Sequence, residues 1–449
     1  MKKQFMSKTM LLAMSLALGA CAMGPDYVRP AAPVASAVGS QPQDLNTPEW
    51  DSYFLDPALK PVIDKALANN RDLKIATARI EEARALYGIQ KADLLPSVSA
   101  NGSGNTSRSN PDLDISRRYE ANLALLSYEV DFWGRVRRLS EAAKANYLAS
   151  EEAQQSVRSA LIADVANSYY LAQALNARSR LAEQTAAARQ ESARVVKRRV
   201  DVGVANRLDL LQAEAAQDSA LSDKAALSRQ AVNAQNALTL LVGETVILPA
   251  VNLNAEVFAL PSGLSSAVLL DRPDVRAAEQ KLVAANANIG AARAAFFPKV
   301  TLMGSAGVMS DELSDLFAGG NRAWSFLPQI SLPIFDGGRL SAGADVAAAR
   351  KVIAVAEYEK TIQMAFKDVA DVLSDQGWLV EQLVAQQKLA DRQGQRLKLA
   401  EARYASGLSS YLDVLDAQRE FYTASQALIE TRRARLAVSA QAFKALGGR

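Results

Sequence analysis

The chain has 449 residues, 49% of them hydrophobic, with 51 basic and 48 acidic side chains, one cysteine and no histidine. The lack of histidine removes the commonest general base and metal ligand, the single cysteine rules out an intramolecular disulfide, and the near balance of charge argues against a nucleic-acid partner. Because no glycine-rich phosphate loop of the GxGxxG or GxxxxGKS kind occurs either, no cofactor site and no enzymatic function are expected.

At the N-terminus, Lys2, Lys3 and Lys8 precede the apolar run Met10 to Leu18 and then Leu18-Gly19-Ala20-Cys21. This is the plan of a signal peptide over residues 1–20, with an apolar part too short to span a bilayer. Cys21 stands where the bacterial lipobox has its acylated cysteine, and Ala22, in place of an aspartate, suits sorting to the outer membrane. Since two acyl chains already anchor a protein stably, Cys21 is the expected lipidation site. The alternative is an ordinary cleavage site with a chance cysteine. Residues 21–57 carry Pro25, Pro30, Pro33, Pro42, Pro48 and Pro57 among small residues and read as an extended, lipid-anchored strap.

Length alone suggests about three domains, but residues 70–243 are written again at 272–447 with their landmarks in the same order. Asp72, Pro96, Gly134-Arg135, Gly203, Asp209 and Gly243 match Asp274, Pro298, Gly338-Arg339, Gly407, Asp413 and Gly447. One folding unit is therefore duplicated, and it is far longer than a solenoid repeat. The first repeat, 58–243, is expected to hold a short helix (about 58–93), a β-hairpin (97–132), a long helix (136–201) and a return helix (207–242). A connector at 244–264 leads to the second repeat, 265–447: a short helix to 295, a hairpin (299–335), a long helix (340–405) and a return helix (411–445).

Proline distribution carries the helical part of this reading. None occurs between Pro111 and Pro249, or after Pro333, and both stretches are rich in Ala, Arg, Glu, Gln and Leu. About 66 residues at 1.5 Å each make a rod on the order of 100 Å long, for which a globular domain has no use. Each rod stops at a glycine, Gly203 or Gly407, and a new helix starts behind Asn206-Arg207-Leu208-Asp209 or Ser410-Tyr411-Leu412-Asp413, an N-cap followed three positions later by a carboxylate.

The strands alternate. Trp324, Phe326, Pro328, Ile330, Leu332 and Ile334 form one apolar face, and Ala124, Leu126, Tyr128, Val130 and Phe132 do the same less cleanly. Their partners are expected at Ser97–Asn105 and Lys299–Met309, closed by polar loops at 106–118 and 310–322. Four strands of this length suit a tilted membrane span but cannot close a barrel, and an open edge cannot sit in hydrocarbon. Either several chains share one barrel or the sheet is soluble and periplasmic.

In Gly24-Pro25-Asp26-Tyr27, Tyr128 to Arg135 (YEVDFWGR), Arg272-Pro273-Asp274-Val275, Ala284 to Pro298 (AANANIGAARAAFFP), Leu332 to Arg339 (LPIFDGGR), Arg403-Tyr404 with Gly407, and Tyr411 to Arg419 (YLDVLDAQR), the chain resembles the TolC/OprM family of outer-membrane efflux ducts. The resemblance covers nearly everything after Cys21 and implies a mainly α fold. In it, a homotrimeric, 12-stranded membrane β-barrel with four strands per chain is continued by a long periplasmic α-helical barrel. It further implies an exit duct working with a periplasmic adaptor protein and an inner-membrane resistance-nodulation-division pump. A duct for type I protein secretion and a non-conducting, lipid-anchored periplasmic scaffold are the alternatives.

The two helical hairpins would then form an iris-like periplasmic gate. Tyr404 matches a tyrosine that ties the closed iris together, with packing beside the turn as its plainer role. Leu412 would supply an apolar constriction and Asp416, one from each chain, a ring of negative charge, with Asp413 and, in the first hairpin, Asp209 also at the gate. Asp209 and Asp413 sit equally well as helix caps. Ser409 stands where some ducts carry a basic residue, which leaves Arg403 or Arg419 to pair with the acids. The tips, Val202-Gly203-Val204 and Ser406-Gly407-Leu408, would meet the adaptor.

Overall fold

The computed structural model describes residues 23–39, 42–43, 48–108 and 114–449, so Cys21 and the signal-peptide region lie outside it. In chain order the elements are β1 (Ala37–Gly39), β2 (Pro42–Gln43), α1 (Trp50–Tyr53), α2 (Lys60–Asn69), α3 (Arg71–Ala92), β3 (Val98–Ser107), β4 (Ser116–Val130), α4 (Arg135–Asp201) and α5 (Arg207–Val242). They continue with β5 (Gly263–Ser265), α6 (Ala267–Leu270), α7 (Pro273–Ala294), β6 (Lys299–Ser310), β7 (Arg322–Ser331), α8 (Arg339–Ala405) and α9 (Tyr411–Ala445). The two long helices, α4 and α8, are each 67 residues.

Both short helices expected from the sequence are divided. Asn70 leaves helical geometry (ψ 133°) between α2 and α3; its side chain accepts from the Leu73 N–H at 2.9 Å and donates to the Leu241 carbonyl at 2.8 Å. In the second repeat the break falls just before Pro273, which opens α7 as an N1 proline.

Compactness does not follow the two repeats; each of two units takes segments from both. One comprises the described residues among 23–32, 78–152 and 276–360. Its core is a four-stranded antiparallel sheet in the order β3-β4-β6-β7, so the hairpin of one repeat pairs with that of the other. Asp131 accepts from the N–H groups of Val136 and Arg137, and Asp336 from those of Gly338 and Leu340, so each long helix starts on a carboxylate cap directly after the sheet. Helix packing here uses alanine: Ala142 and Ala145 meet Ala284 and Ala287. The strap follows α7 closely, and a Cβ on Gly24 would lie 2.5 Å from the Gly290 Cα. Glu279 accepts from the Tyr27 hydroxyl and from Arg29 Nε and Nη2 at 2.6–3.0 Å, clasping the strap.

One expectation for this sheet is corrected. Ala124 and Leu126 were to share an apolar face with Tyr128 and Val130. A bulge between Leu125 and Tyr128 inserts one residue, which places Leu123 and Leu125 on that face instead. The strands also run further into the loops than expected, with β4 already paired from Ser116. The face so formed carries Leu123, Trp324, Phe326 and Ile330, all exposed, the last three at 60–79%.

The other unit comprises Pro33–Thr77, Ala153–Val275 and Thr361–Arg449. Within it β5 from the connector pairs with β1 antiparallel and β2 parallel, both strands belonging to the strap, and Arg449 exchanges backbone bonds with Pro48 and Trp50. Tyr53, Phe54, Phe258 and Phe443 form an aromatic cluster beneath, with centroids 4.9–5.4 Å apart. Arg272 is 3% exposed and binds Asp274, Asp368 and the Ala445 carbonyl.

Candidate functional site

The two helical hairpins lie in this second unit. Each long helix ends in a glycine with left-handed backbone, Gly203 (φ 78°) and Gly407 (φ 73°), a geometry other residues adopt at a cost. Val204 N–H reaches back to the Arg199 carbonyl and Leu408 N–H to the Arg403 carbonyl, both at 2.8 Å, while the glycine N–H groups bond Val200 and Tyr404. These are paired Schellman turns that satisfy the last carbonyls of the rods. The return helices start differently. Asn206 caps α5 by accepting the Asp209 N–H at 2.8 Å, whereas at α9 the Asp413 carboxylate accepts from the Ser410 N–H and hydroxyl, both at 3.1 Å. The Asp413 carboxylate is thus engaged as a cap.

Beneath the tips the hairpins share a core of Ala193, Val196, Ala213, Tyr411 and Val414, with Val200, Leu210, Ala400, Tyr404 and Leu415 packed on it. Burial pushes the Tyr411 phenol up to about 12, with the neighbouring Tyr404 adding to the shift. The Tyr404 ring lies 5.4 Å from that of Tyr411 and under the Arg199 guanidinium, whose Cζ is 4.5 Å from its centroid. Arg199 also donates to the Tyr404 carbonyl at 3.3 Å. Tyr404 therefore links the two hairpins of one chain through its ring and carbonyl.

Asp416 holds two arginines, Arg419 one turn away at 2.6 Å and Arg396 on the incoming helix. Arg403 is directed elsewhere, to the Leu408 carbonyl at 3.3 Å, where it stiffens the tip. Of the two arginines expected to pair with the acids, Arg419 does so and Arg403 does not. Val202, Val204, Leu208, Leu408 and Leu412 are all more than half exposed. An apolar surface is thus set around a charged cluster.

Sequence reasoning missed Arg396, Arg199 and Tyr411. A signal for Arg396 was available, since an antiparallel hairpin faces residues equidistant from its turn, and Arg396 and Asp416 are equidistant from Ser406. Arg199 and Tyr411 had none, because Arg199 meets Tyr404, and Tyr411 joins the cluster of Ala193 and Val196, across two hairpins about 200 residues apart. No cluster able to hold a metal occurs among the described residues.

The sequence profile of a family described as outer membrane efflux protein matches residues 62–244 and 264–448. The toluene efflux pump outer membrane protein TtgC of Pseudomonas putida is 43% identical over 450 residues, covering 96% of this chain and 93% of that protein. For the outer membrane protein OprJ of Pseudomonas aeruginosa the identity is 42%, with 97% and 95% covered. Among solved structures, the open state of the MtrE outer membrane channel of Neisseria gonorrhoeae superposes with a TM-score of 0.87 at 39% identity, over 95% of this chain and 98% of that one.

Proposed function

This chain belongs to the outer membrane efflux protein family, and on that footing we propose that it forms the exit duct of a tripartite pump. Small apolar molecules and drugs pass through it from an inner-membrane pump of the resistance-nodulation-division class to the exterior, with a periplasmic adaptor joining the two. The observation that carries this reading is the sheet: one face is exposed and apolar, both edges are unpaired among the described residues, and two of its strands lead into 67-residue helices. Unpaired edges cannot face hydrocarbon. Copies must therefore supply the missing strands, and three copies of four strands give twelve, an even number suited to a closed antiparallel barrel.

The hairpins form the periplasmic gate. Its lock within each chain is Asp416 between Arg396 and Arg419, together with Tyr404 under Arg199. Asp209 and Asp413 act first as parts of helix caps and contribute negative potential second, and Leu412 supplies the apolar rim. The tips, 202–204 and 406–408, meet the adaptor. Cys21 carries the lipid anchor.

Purified protein in planar bilayers should give stepwise ion conductance; a silent bilayer, with the protein inserted, refutes the duct and favours the scaffold. Deleting the gene should raise sensitivity to drugs and organic solvents while leaving secreted proteins unchanged. Lost secretion with unaltered sensitivity would instead make it a protein-secretion duct.

A further inference from the structure

Far along α9 from its hairpin tip, the second unit contains a recess with no part in the duct proposed above. α9 lines it with Arg435, Val438, Ser439 and Ala442, which the helical period puts on one face, α8 lines it with Leu379, and the connector with Phe258. Tyr53 completes the wall. Its ring stacks on Phe258 at 4.9 Å and its hydroxyl donates to the Ser439 carbonyl at 2.9 Å, which holds the ring in place and keeps it from turning in to fill the space. Because Ser439 and Ala442 are small, the helices and the connector meet without closing, and about 370 Å³ stays empty and open to solvent on one side.

Two properties of the wall define an occupant. Most of it is carbon, and the Tyr53 hydroxyl is already engaged, so water inside finds few of the polar partners that would hold it. An apolar group displaces such water with a gain in affinity. The second property is the state of Arg435. On the same helix Arg432 donates to Gln387 at 2.6 Å and Arg433 to Glu430 at 2.8 Å. Among the described residues, Arg435 has only the Ala255 carbonyl, at 3.5 Å, and no ion pair. A half-buried guanidinium, with five donors in a fork that fits a carboxylate, thus borders an apolar space without a counter-ion of its own.

We propose that the recess binds a small amphipathic monocarboxylate, its apolar body against Phe258, Leu379 and Val438 and its carboxylate on Arg435. The space limits that body to about one aromatic ring or a short alkyl chain. One guanidinium matches one negative charge, whereas a phosphate monoester, with about two, would bring charge that nothing on the wall pairs. A neutral ring would gain the apolar contact alone and leave the guanidinium as it is. The site lies within one chain, and a bound acid would tie the connector to α8 and α9.

The test uses the full-length protein in detergent with 4-fluorobenzoate as probe, its fluorine line width read by NMR against protein-free micelles. Saturable broadening is expected, with a dissociation constant on the order of 1 mM for a ligand of this size. Arg435→Gln, which removes the charge and keeps a polar side chain, should weaken binding roughly tenfold or more. Val438→Phe, which fills the recess, should abolish it, and Leu379→Trp, filling it from α8, takes its place if circular dichroism shows Val438→Phe to be unfolded. The neutral 4-fluorobenzamide should bind the unaltered chain more weakly than the acid and bind Arg435→Gln no less well. Unchanged broadening in Arg435→Gln, or equal binding of acid and amide, overturns the carboxylate class. Unchanged broadening in a folded filling variant overturns the recess as the site, and no saturable broadening at all overturns the proposal outright.

Discussion

Neutralising Asp416 tests the proposed lock most directly. Its carboxylate is about one third exposed and its two arginines about half or more, so each ion pair belongs to the weak surface class, worth roughly 0.2–1 kcal/mol. The pair with Arg396 joins the two helices of one hairpin, whereas Arg419 is one turn away on the same helix, so only the first should separate when the hairpin opens. In the proposed trimer, with three copies opening together, that pair amounts to roughly 0.6–3 kcal/mol, or about a 3- to 150-fold rise in the ratio of open to closed channels. Asp416→Asn and Arg396→Gln should each raise the open fraction in planar bilayers, and the double variant should rise no further than either single one. Selectivity separates the lock from the field of the acid: Asp416→Asn lowers cation preference and Arg396→Gln raises it. Additive effects of the two substitutions, or an open fraction that neither changes, would refute the lock.

Three further outcomes follow from named contacts. Arg272→Ala removes a buried guanidinium and leaves the Ala445 carbonyl without its partner, while Asp274 and Asp368 are partly solvated, and should destabilise the fold by about 1–3 kcal/mol, read as a lowered denaturant midpoint. Tyr53 and Tyr411 have phenols raised by burial from 10.0 to about 12, so the neutral forms stabilise the fold. That contribution is complete below pH 10 and is lost as the pH rises toward 12; absorbance at 295 nm should show both tyrosines ionising late, and Tyr53→Phe and Tyr411→Phe should each remove one late step. Gly407→Ala forces a Cβ into left-handed backbone and should cost roughly 1–2 kcal/mol, seen as faster hydrogen exchange at the second tip, whereas Ser406→Ala should leave it unchanged.

The sequence by itself determined the elements and the ends of the rods. Proline exclusion marked the stretches that hold the two long helices, and glycine after each rod marked where it stops in a Schellman turn, because those constraints act on a residue's own backbone. Alternation identified the strands but misplaced the upper half of β4: a bulge is a relation between two strands, and its partner lies about 180 residues away. The division of the short helices was half visible, in Pro273, and half hidden, since Asn70 breaks its helix with the help of the Leu241 carbonyl. At the tips, the caps of Asp209 and Asp413 were legible because they bond within four residues. The pairing of Asp416 with Arg396, the seat of Tyr404 under Arg199 and the burial of Tyr411 were settled only by helices brought together in space, where charge, ring and cavity are supplied by segments that have no local knowledge of one another.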